Sequence, residues 1–128
     1  MTIREAIKHS MQKHGVKNME LANGIGISNS HLYGFLSGRF GMKSSAIQQA
    51  AAFLRIRFTF PGAEQEYDGI IAVIKAAMAH REMKSVTLAE IAGVTTGTIS
   101  AFLSDKYGIA TDRLEEVFNQ LEIRMVVD

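Results

Sequence analysis

Apolar residues recur at helical spacing over most of the chain. Ile3, Ile7 and Met11 share one face of a first helix. Two short apolar patterns, one at Leu21, Ala22 and Ile25 and one within residues 28–36, predict two short helices after it. The chain therefore begins as a helical domain.

A tight turn separates the two short helices. Gly26 permits a backbone conformation that strains other residues, and Ser28 is a good N-cap for the helix that follows. Leu32, Phe35 and Leu36 then anchor that helix to the core. These positions predict a helix, a turn and a second helix.

A fourth helix and a strand complete this part of the chain. Ser45 and Gln48 are expected to form a capping box at the start of the helix. Residues 54–60 then alternate between apolar and polar side chains, as in a half-buried strand. Pro61 ends the strand, and residues 61–66 form a short linker.

The rest of the chain repeats the same pattern in the same register. A shift of sixty-seven residues places Leu21-Ala22 on Leu88-Ala89, Gly26-Ile27-Ser28 on Gly93-Val94-Thr95, and Phe35-Leu36-Ser37 on Phe102-Leu103-Ser104. A register kept over both ends of a motif predicts two tandem copies of one small domain, at residues 1–60 and 67–128.

The repeated motif resembles the helix-turn-helix of the lambda repressor/Cro (XRE) class of DNA-binding regulators. The resemblance is carried by Leu21-Ala22, Gly26-Ile27-Ser28, Leu32 and Phe35-Leu36-Ser37-Gly38. It implies a mostly α fold of two lambda-repressor-like domains, a prokaryotic, phage or mobile-element origin, and a repressor that reads double-stranded DNA through residues 28–36.

The two copies carry opposite charge. Residues 1–60 hold eight Lys and Arg residues and two acids, which is a net charge of +6, whereas residues 61–128 hold six basic residues and eleven acids, a net charge of −5. Because phosphate neutralisation dominates affinity for DNA, the first copy is the better candidate for a DNA surface.

The expected DNA-binding residues of the first copy surround its third helix. Asn29 is expected to read a base, since an amide pairs with the N6 and N7 edge of adenine, and Arg39 and Lys43 suit phosphate contacts. Gly34 indicates close approach of another backbone to the helix. The full set is Lys17, Asn18, Ser28, Asn29, Ser30, His31, Tyr33, Arg39 and Lys43.

The matching surface of the second copy offers hydroxyl groups and one cation. Its candidate DNA-binding residues are Thr95, Thr96, Thr98, Ser100 and Lys106. The acidic charge of this copy disfavours DNA. Two interpretations stay open: a second DNA reader, or a degenerate domain that serves packing or assembly.

The strand at residues 55–60 has a counterpart at residues 122–127. Because a single strand cannot satisfy its own backbone hydrogen bonds, the two are expected to pair antiparallel, or to pair with the strands of a second chain in a dimer. Pairing within the chain would relate the copies by an approximate twofold axis. The shared core would then hold Ile56, Phe58, Phe60, Ile123, Met125 and Val127.

Composition excludes several kinds of chemistry. The chain has no cysteine, and its four histidines lack a metal-binding spacing, so we expect no disulfide, no metal and no cofactor. No glycine-rich phosphate loop is present, which argues against an enzyme. No apolar run approaches the roughly 20 residues of a membrane helix, so we expect a cytoplasmic protein that makes no membrane contact.

Two classes of function follow from the sequence. The first is a sequence-specific DNA-binding transcriptional regulator of the repressor/Cro type. The alternative is a regulator or inhibitor of the phage or mobile-element kind, whose acidic second domain docks on a partner protein.

Overall fold

A computed structural model describes residues 1–128, and helices dominate it. The helices are α1 (Ile3–His14), α2 (Asn18–Ile25), α3 (Asn29–Leu36), α4 (Ser44–Leu54), α5 (Ile70–His80), α6 (Ser85–Ala92), α7 (Thr96–Leu103) and α8 (Thr111–Leu121), and the strands are β1 (Arg57–Thr59) and β2 (Arg124–Val126). Each half of the chain thus has four helices followed by one strand. The predicted mostly helical architecture is confirmed.

The ends of α1 follow local signals. The Thr2 hydroxyl accepts a hydrogen bond from the Glu5 N–H, and the Glu5 carboxylate accepts one from the Thr2 N–H, both at 3.1 Å. The bond from the Thr2 backbone holds the pKa of Glu5 below its ordinary value. Gly15 ends the helix with a left-handed φ of 67°, which glycine adopts without strain.

The start of α4 depends on the other half of the chain. The helix begins at Ser44, whose hydroxyl accepts a hydrogen bond from the Ile109 N–H at 2.9 Å. Gln48 accepts one from the Ile70 N–H at 2.6 Å. The predicted capping box of Ser45 and Gln48 is therefore wrong, because Gln48 is engaged by α5 instead.

β1 and β2 pair antiparallel, which confirms the expected pairing within the chain. Arg57 lies opposite Val126, Phe58 opposite Met125 and Thr59 opposite Arg124. Each strand has three residues, so the regular pairing is shorter than the predicted ranges 55–60 and 122–127.

The side chains expected beneath this sheet divide into two groups. Ile56, Phe58, Phe60 and Ile123 are buried, as predicted. Met125 and Val127 are only half-buried, so they pack against the core without being enclosed in it as predicted. Both follow Arg124 on the β2 side, where no further strand covers the sheet.

A second contact joins the halves at the loops before α4 and α8. Lys43 and Ala110, sixty-seven residues apart, form an antiparallel bridge. Around it the Ser44 hydroxyl accepts the Ile109 N–H at 2.9 Å, and the Thr111 hydroxyl accepts the Met42 N–H at 2.7 Å. The two hydrogen bonds are reciprocal, as in an interface with twofold symmetry.

Gln48 and Glu115 show the same reciprocity. Gln48 accepts the Ile70 N–H, and the Glu115 carboxylate accepts the Ile3 N–H. Burial raises the pKa of Glu115, against the opposing effects of the Ile3 hydrogen bond and of the nearby positive charges. One side of the interface therefore titrates, while the amide on the other side does not.

The buried residues form one core that spans both halves. The Phe58 ring of β1 meets the Phe118 ring of α8 edge-on, with 5.9 Å between centroids. No single helix is long and apolar enough to cross a membrane. Only α6 and α7 taken as a pair reach that length and composition, and the chain bends by 106° between them.

Candidate nucleic-acid interface

α2 and α3 are joined by a turn of three residues. Gly26 has a φ of 74°, and the Ile27 N–H donates to the Ala22 carbonyl at 3.0 Å. The Ser28 hydroxyl then accepts the His31 N–H at 3.0 Å and caps α3. The predicted helix, turn and helix are confirmed, and Ser28 acts as a cap.

α3 has one buried face and one open face. The buried residues are Leu32, Gly34, Phe35 and Leu36, and the exposed ones are Asn29, Ser30, His31 and Tyr33. These four candidate DNA-binding side chains, with the predicted base reader Asn29 among them, are all exposed, and three of them lie in the first turn of the helix.

A groove between α1 and α3 brings one further candidate, Asn18, next to Tyr33. It has a volume of about 390 Å³, and its lining includes Asn18, Tyr33 and Lys8. Lys17 is exposed immediately before α2, where its N–H donates to the Glu20 carboxylate at 3.5 Å. The groove places an amide, a phenol and a cation next to α3.

The loop after α3 carries the two candidate phosphate contacts. Gly38 turns the chain with a φ of 85°, and the Arg39 N–H donates to the Gly34 carbonyl at 2.9 Å. Lys43 is exposed but bridges to Ala110, so it lies at the contact between the halves. The backbone of Arg39 is thus bonded to α3, and the backbone of Lys43 is bonded to the second half of the chain.

Arg4 fixes this loop, and the sequence analysis did not single it out. Its guanidinium donates to the carbonyls of Phe35 and, at 3.3 Å, of Phe40, and it lies 4.9 Å from the centroid of the Phe35 ring. The arginine thus ties α1 both to the last turn of α3 and to the loop after it. No local sequence signal connects Arg4 with residues more than thirty positions later.

The Phe40 ring lies over Gly34. A Cβ at position 34 would come within 2.1 Å of Phe40 Cζ, and the ring centroid is 5.2 Å from that of His31. The expectation that another backbone approaches Gly34 is therefore wrong, because an aromatic side chain does so. This ring supports His31 on the open face of α3.

Most of the chain matches a known protein family. A family model described as a helix-turn-helix domain matches residues 1–114. The chain belongs to this helix-turn-helix family. No curated protein and no solved structure matches it. A helix-turn-helix domain suggests that the chain binds DNA.

The helix-turn-helix geometry recurs at α6 and α7. Gly93 has a φ of 70°, and the Thr95 hydroxyl accepts the Thr98 N–H at 3.1 Å and contacts the Thr98 hydroxyl at 2.9 Å. Thr95 and Thr98 are thus engaged with each other. Thr96, Ser100 and Lys106 are exposed and have no such bond.

The side-chain contacts that fix the loop after α3 are missing after α7. The equivalent positions differ in kind: Ile71 stands for Arg4, Ala101 for Gly34 and Tyr107 for Phe40. Tyr107 is 72% exposed, compared with 45% for Phe40. The backbone bond recurs, since the Lys106 N–H donates to the Ala101 carbonyl at 2.9 Å, but the side-chain contacts of Arg4 and Phe40 have no counterpart after α7.

Arg113 is a second cation that the sequence analysis did not single out. It donates to the carbonyls of Ala92 and Gly93 at 3.1 and 3.2 Å, beside the turn that precedes α7. Its side chain is exposed. This arginine adds positive charge at the second helix-turn-helix, where only Lys106 was expected.

Proposed function

We propose that the protein is a sequence-specific DNA-binding transcriptional regulator of the lambda repressor/Cro type. It reads an operator through α3, acts in the cytoplasm and has no catalytic role. The observation that carries the proposal is the open face of α3, where Asn29, Ser30 and His31 project from the first turn of a helix held by its buried face. In this class, that end of the helix enters the major groove.

The charge distribution supports α3 as the main reader. The half that contains it has a net charge of +6, whereas residues 61–128 have a net charge of −5. Lys17 before α2 and Arg39 after α3 are exposed, whereas Lys106 after α7 is preceded by Asp105. Because phosphate contacts provide most of the affinity, the first half should dominate binding.

The proposal includes two tandem domains, residues 1–60 and 67–128, that act together as a repressor dimer does. Support comes from the reciprocal contacts, since Phe58 pairs with Met125 and Lys43 with Ala110, each pair sixty-seven residues apart. Twofold-related recognition helices read half-sites about 34 Å apart. Because α3 and α7 expose different side chains, the operator should be asymmetric.

The decisive experiment selects an operator from randomised DNA and then compares two variants. Asn29→Ala should lose roughly 1–3 kcal/mol at one base position and relax specificity there. Lys43→Ala should weaken binding to all sequences alike and reduce the salt slope by about one unit.

Matched controls come from the second half. Thr96 occupies the position equivalent to Asn29, and Lys75 is exposed on α5. Thr96→Ala should affect a different and weaker half-site, and Lys75→Ala should leave binding unchanged. If neither Asn29→Ala nor Lys43→Ala alters binding to the selected operator, α3 is not the reader.

A second candidate function is docking of the acidic half on a partner protein that the regulator controls. It is favoured by the free acids of residues 61–128, of which only Asp68 and Glu122 form ion pairs. Replacing Glu90 and Asp112 by their amides tests it. Unchanged operator binding with lost regulation in cells supports the second function, and unchanged regulation contradicts it.

A further inference from the structure

The outer edge of β1 is covered by a segment of the chain itself. The Phe58 N–H donates to the Tyr67 carbonyl and the Tyr67 N–H donates to the Phe58 carbonyl, both at 2.7 Å. The Tyr67 ring stacks on Phe60 with 6.3 Å between centroids, and Arg57 Nε lies 2.9 Å from Asp68 Oδ1. An acidic segment, residues 66–68, thus extends the sheet on this side.

The outer edge of β2 has no such cover. In an antiparallel pair, the N–H and C=O of one residue point to the same side. Since those of Phe58 point to Tyr67, those of Met125 opposite it point away from β1, and no group of the chain bonds to them. Arg124 beside it is exposed and forms no ion pair.

The contacts between the halves make the two edges equivalent. With the offset of sixty-seven residues, Arg124 corresponds to Arg57, Met125 to Phe58 and Val127 to Phe60. By the same offset Met1 corresponds to Asp68, and it is 81% exposed. The β2 edge therefore offers the same three features that hold residues 66–68: a backbone donor and acceptor, a cation and an apolar surface.

We propose that the outer edge of β2 docks an extended acidic segment of a partner protein, in which an aromatic residue is followed by an acidic one. Main-chain hydrogen bonds give such strand addition its affinity, and alternate side chains give it specificity. The segment pairs with the backbone of Met125, its carboxylate meets Arg124 and its aromatic ring packs on Val127. This docking is independent of DNA binding.

A partner segment fits this edge better than a second copy of the chain. Two β2 edges paired about Met125 would place Arg124 opposite Val126 of the second copy, so neither arginine would have an acid directly opposite it as Arg57 has in Asp68. The acidic segment of a second copy is already held on its own β1. An acidic peptide supplies the charge that the edge lacks.

The test uses the full chain labelled with ¹⁵N and the synthetic peptide Ala-Glu-Gln-Glu-Tyr-Asp-Gly, which has the sequence of residues 63–69. Peptide binding should shift the amide resonances of residues 124–127 and slow hydrogen exchange of the Met125 amide. Arg124→Glu should weaken binding by about fivefold or more, since an exposed ion pair is lost and reversed. Lys84→Glu makes the same charge change before α6 and should have no effect.

Three results would overturn the proposal. Shifts centred on residues 57–59 would mean that the peptide displaces the chain's own segment from β1. Shifts of Met125 that depend on protein concentration without peptide would assign the edge to a second copy. The absence of any shift at millimolar peptide would leave the edge without this ligand. A peptide with Ala in place of Tyr and Asp is the matched negative control.

Discussion

Gly34→Ala places a methyl group where the Phe40 ring lies. The new Cβ would be 2.1 Å from Phe40 Cζ, so the ring must leave the surface of α3. The second half shows the expected outcome, because Ala101 occupies the equivalent position and Tyr107, in place of Phe40, is 72% rather than 45% exposed.

Two effects of similar size then oppose each other. Exposing a further quarter of a Phe side chain, roughly 50 Å² of about 200 Å², costs about 1.3 kcal/mol at ~25 cal/mol per Å². Replacing a helical glycine by alanine stabilises by roughly 1 kcal/mol. The free energy of unfolding of Gly34→Ala should therefore stay within about 0.5 kcal/mol of the parent value.

A double-mutant cycle separates the two effects. In the Phe40→Ala background no ring is displaced, so Gly34→Ala should stabilise by about 1 kcal/mol. Urea denaturation followed by circular dichroism measures all four proteins, and the coupling energy should be about 1 kcal/mol. Equal effects of Gly34→Ala in both backgrounds would refute the contact. Operator affinity should fall in Gly34→Ala although stability is kept, because His31 loses its support.

Three further substitutions test single groups. Ser10 is buried and its hydroxyl has no hydrogen-bond partner, so Ser10→Ala should stabilise by about 1–2 kcal/mol in urea denaturation; a loss of stability would contradict this. Burial raises the pKa of Glu115. The stability that this raised pKa contributes is fully present below the ordinary carboxyl pKa and is lost as pH rises through the raised pKa. Glu115→Gln, which copies Gln48, should therefore be more stable than the parent at pH 7 and lose that advantage in acid, as denaturation at several pH values would show; a constant difference would exclude titration of this carboxyl. Glu82 holds a φ of 54° where the first half has Gly15, so Glu82→Gly should raise the free energy of unfolding by about 0.5–1 kcal/mol in thermal denaturation, and a lower melting temperature would argue against strain at this position.

The order of helices and strands could be predicted because it depends on local patterns. Apolar spacing marks the buried face of each helix, and alternation over residues 54–60 marks β1. The predicted capping box at Ser45 and Gln48 is wrong because the start of α4 depends on contacts with the other half of the chain. Gln48 takes its hydrogen bond from Ile70, and the start of α4 at Ser44 is set by Ile109, so both depend on contacts that no local pattern encodes.

The candidate site likewise has features that local patterns predict and features that depend on distant contacts. The open face of α3 could be predicted, because the apolar residues of an amphipathic helix mark its buried side and the remaining residues lie on the side that faces solvent. Arg4 could not be predicted, since its hydrogen bonds go to carbonyls near the end of α3. The role of Gly34 depends on where the Phe40 ring packs, which periodicity does not determine.

Because β1 and β2 belong to one chain, the two sides of the interface between the halves can change independently in sequence. In a dimer of identical chains every substitution appears twice, so a change near the axis must suit both sides at once. Here one side carries Gln48 and the other carries Glu115, in matching positions with matching backbone donors. The local concentration of each strand for the other is set by the tether and not by expression level. One side can therefore accept mutations while the other preserves the fold, and an amide and a carboxylate at equivalent positions are a difference that a homodimer cannot contain.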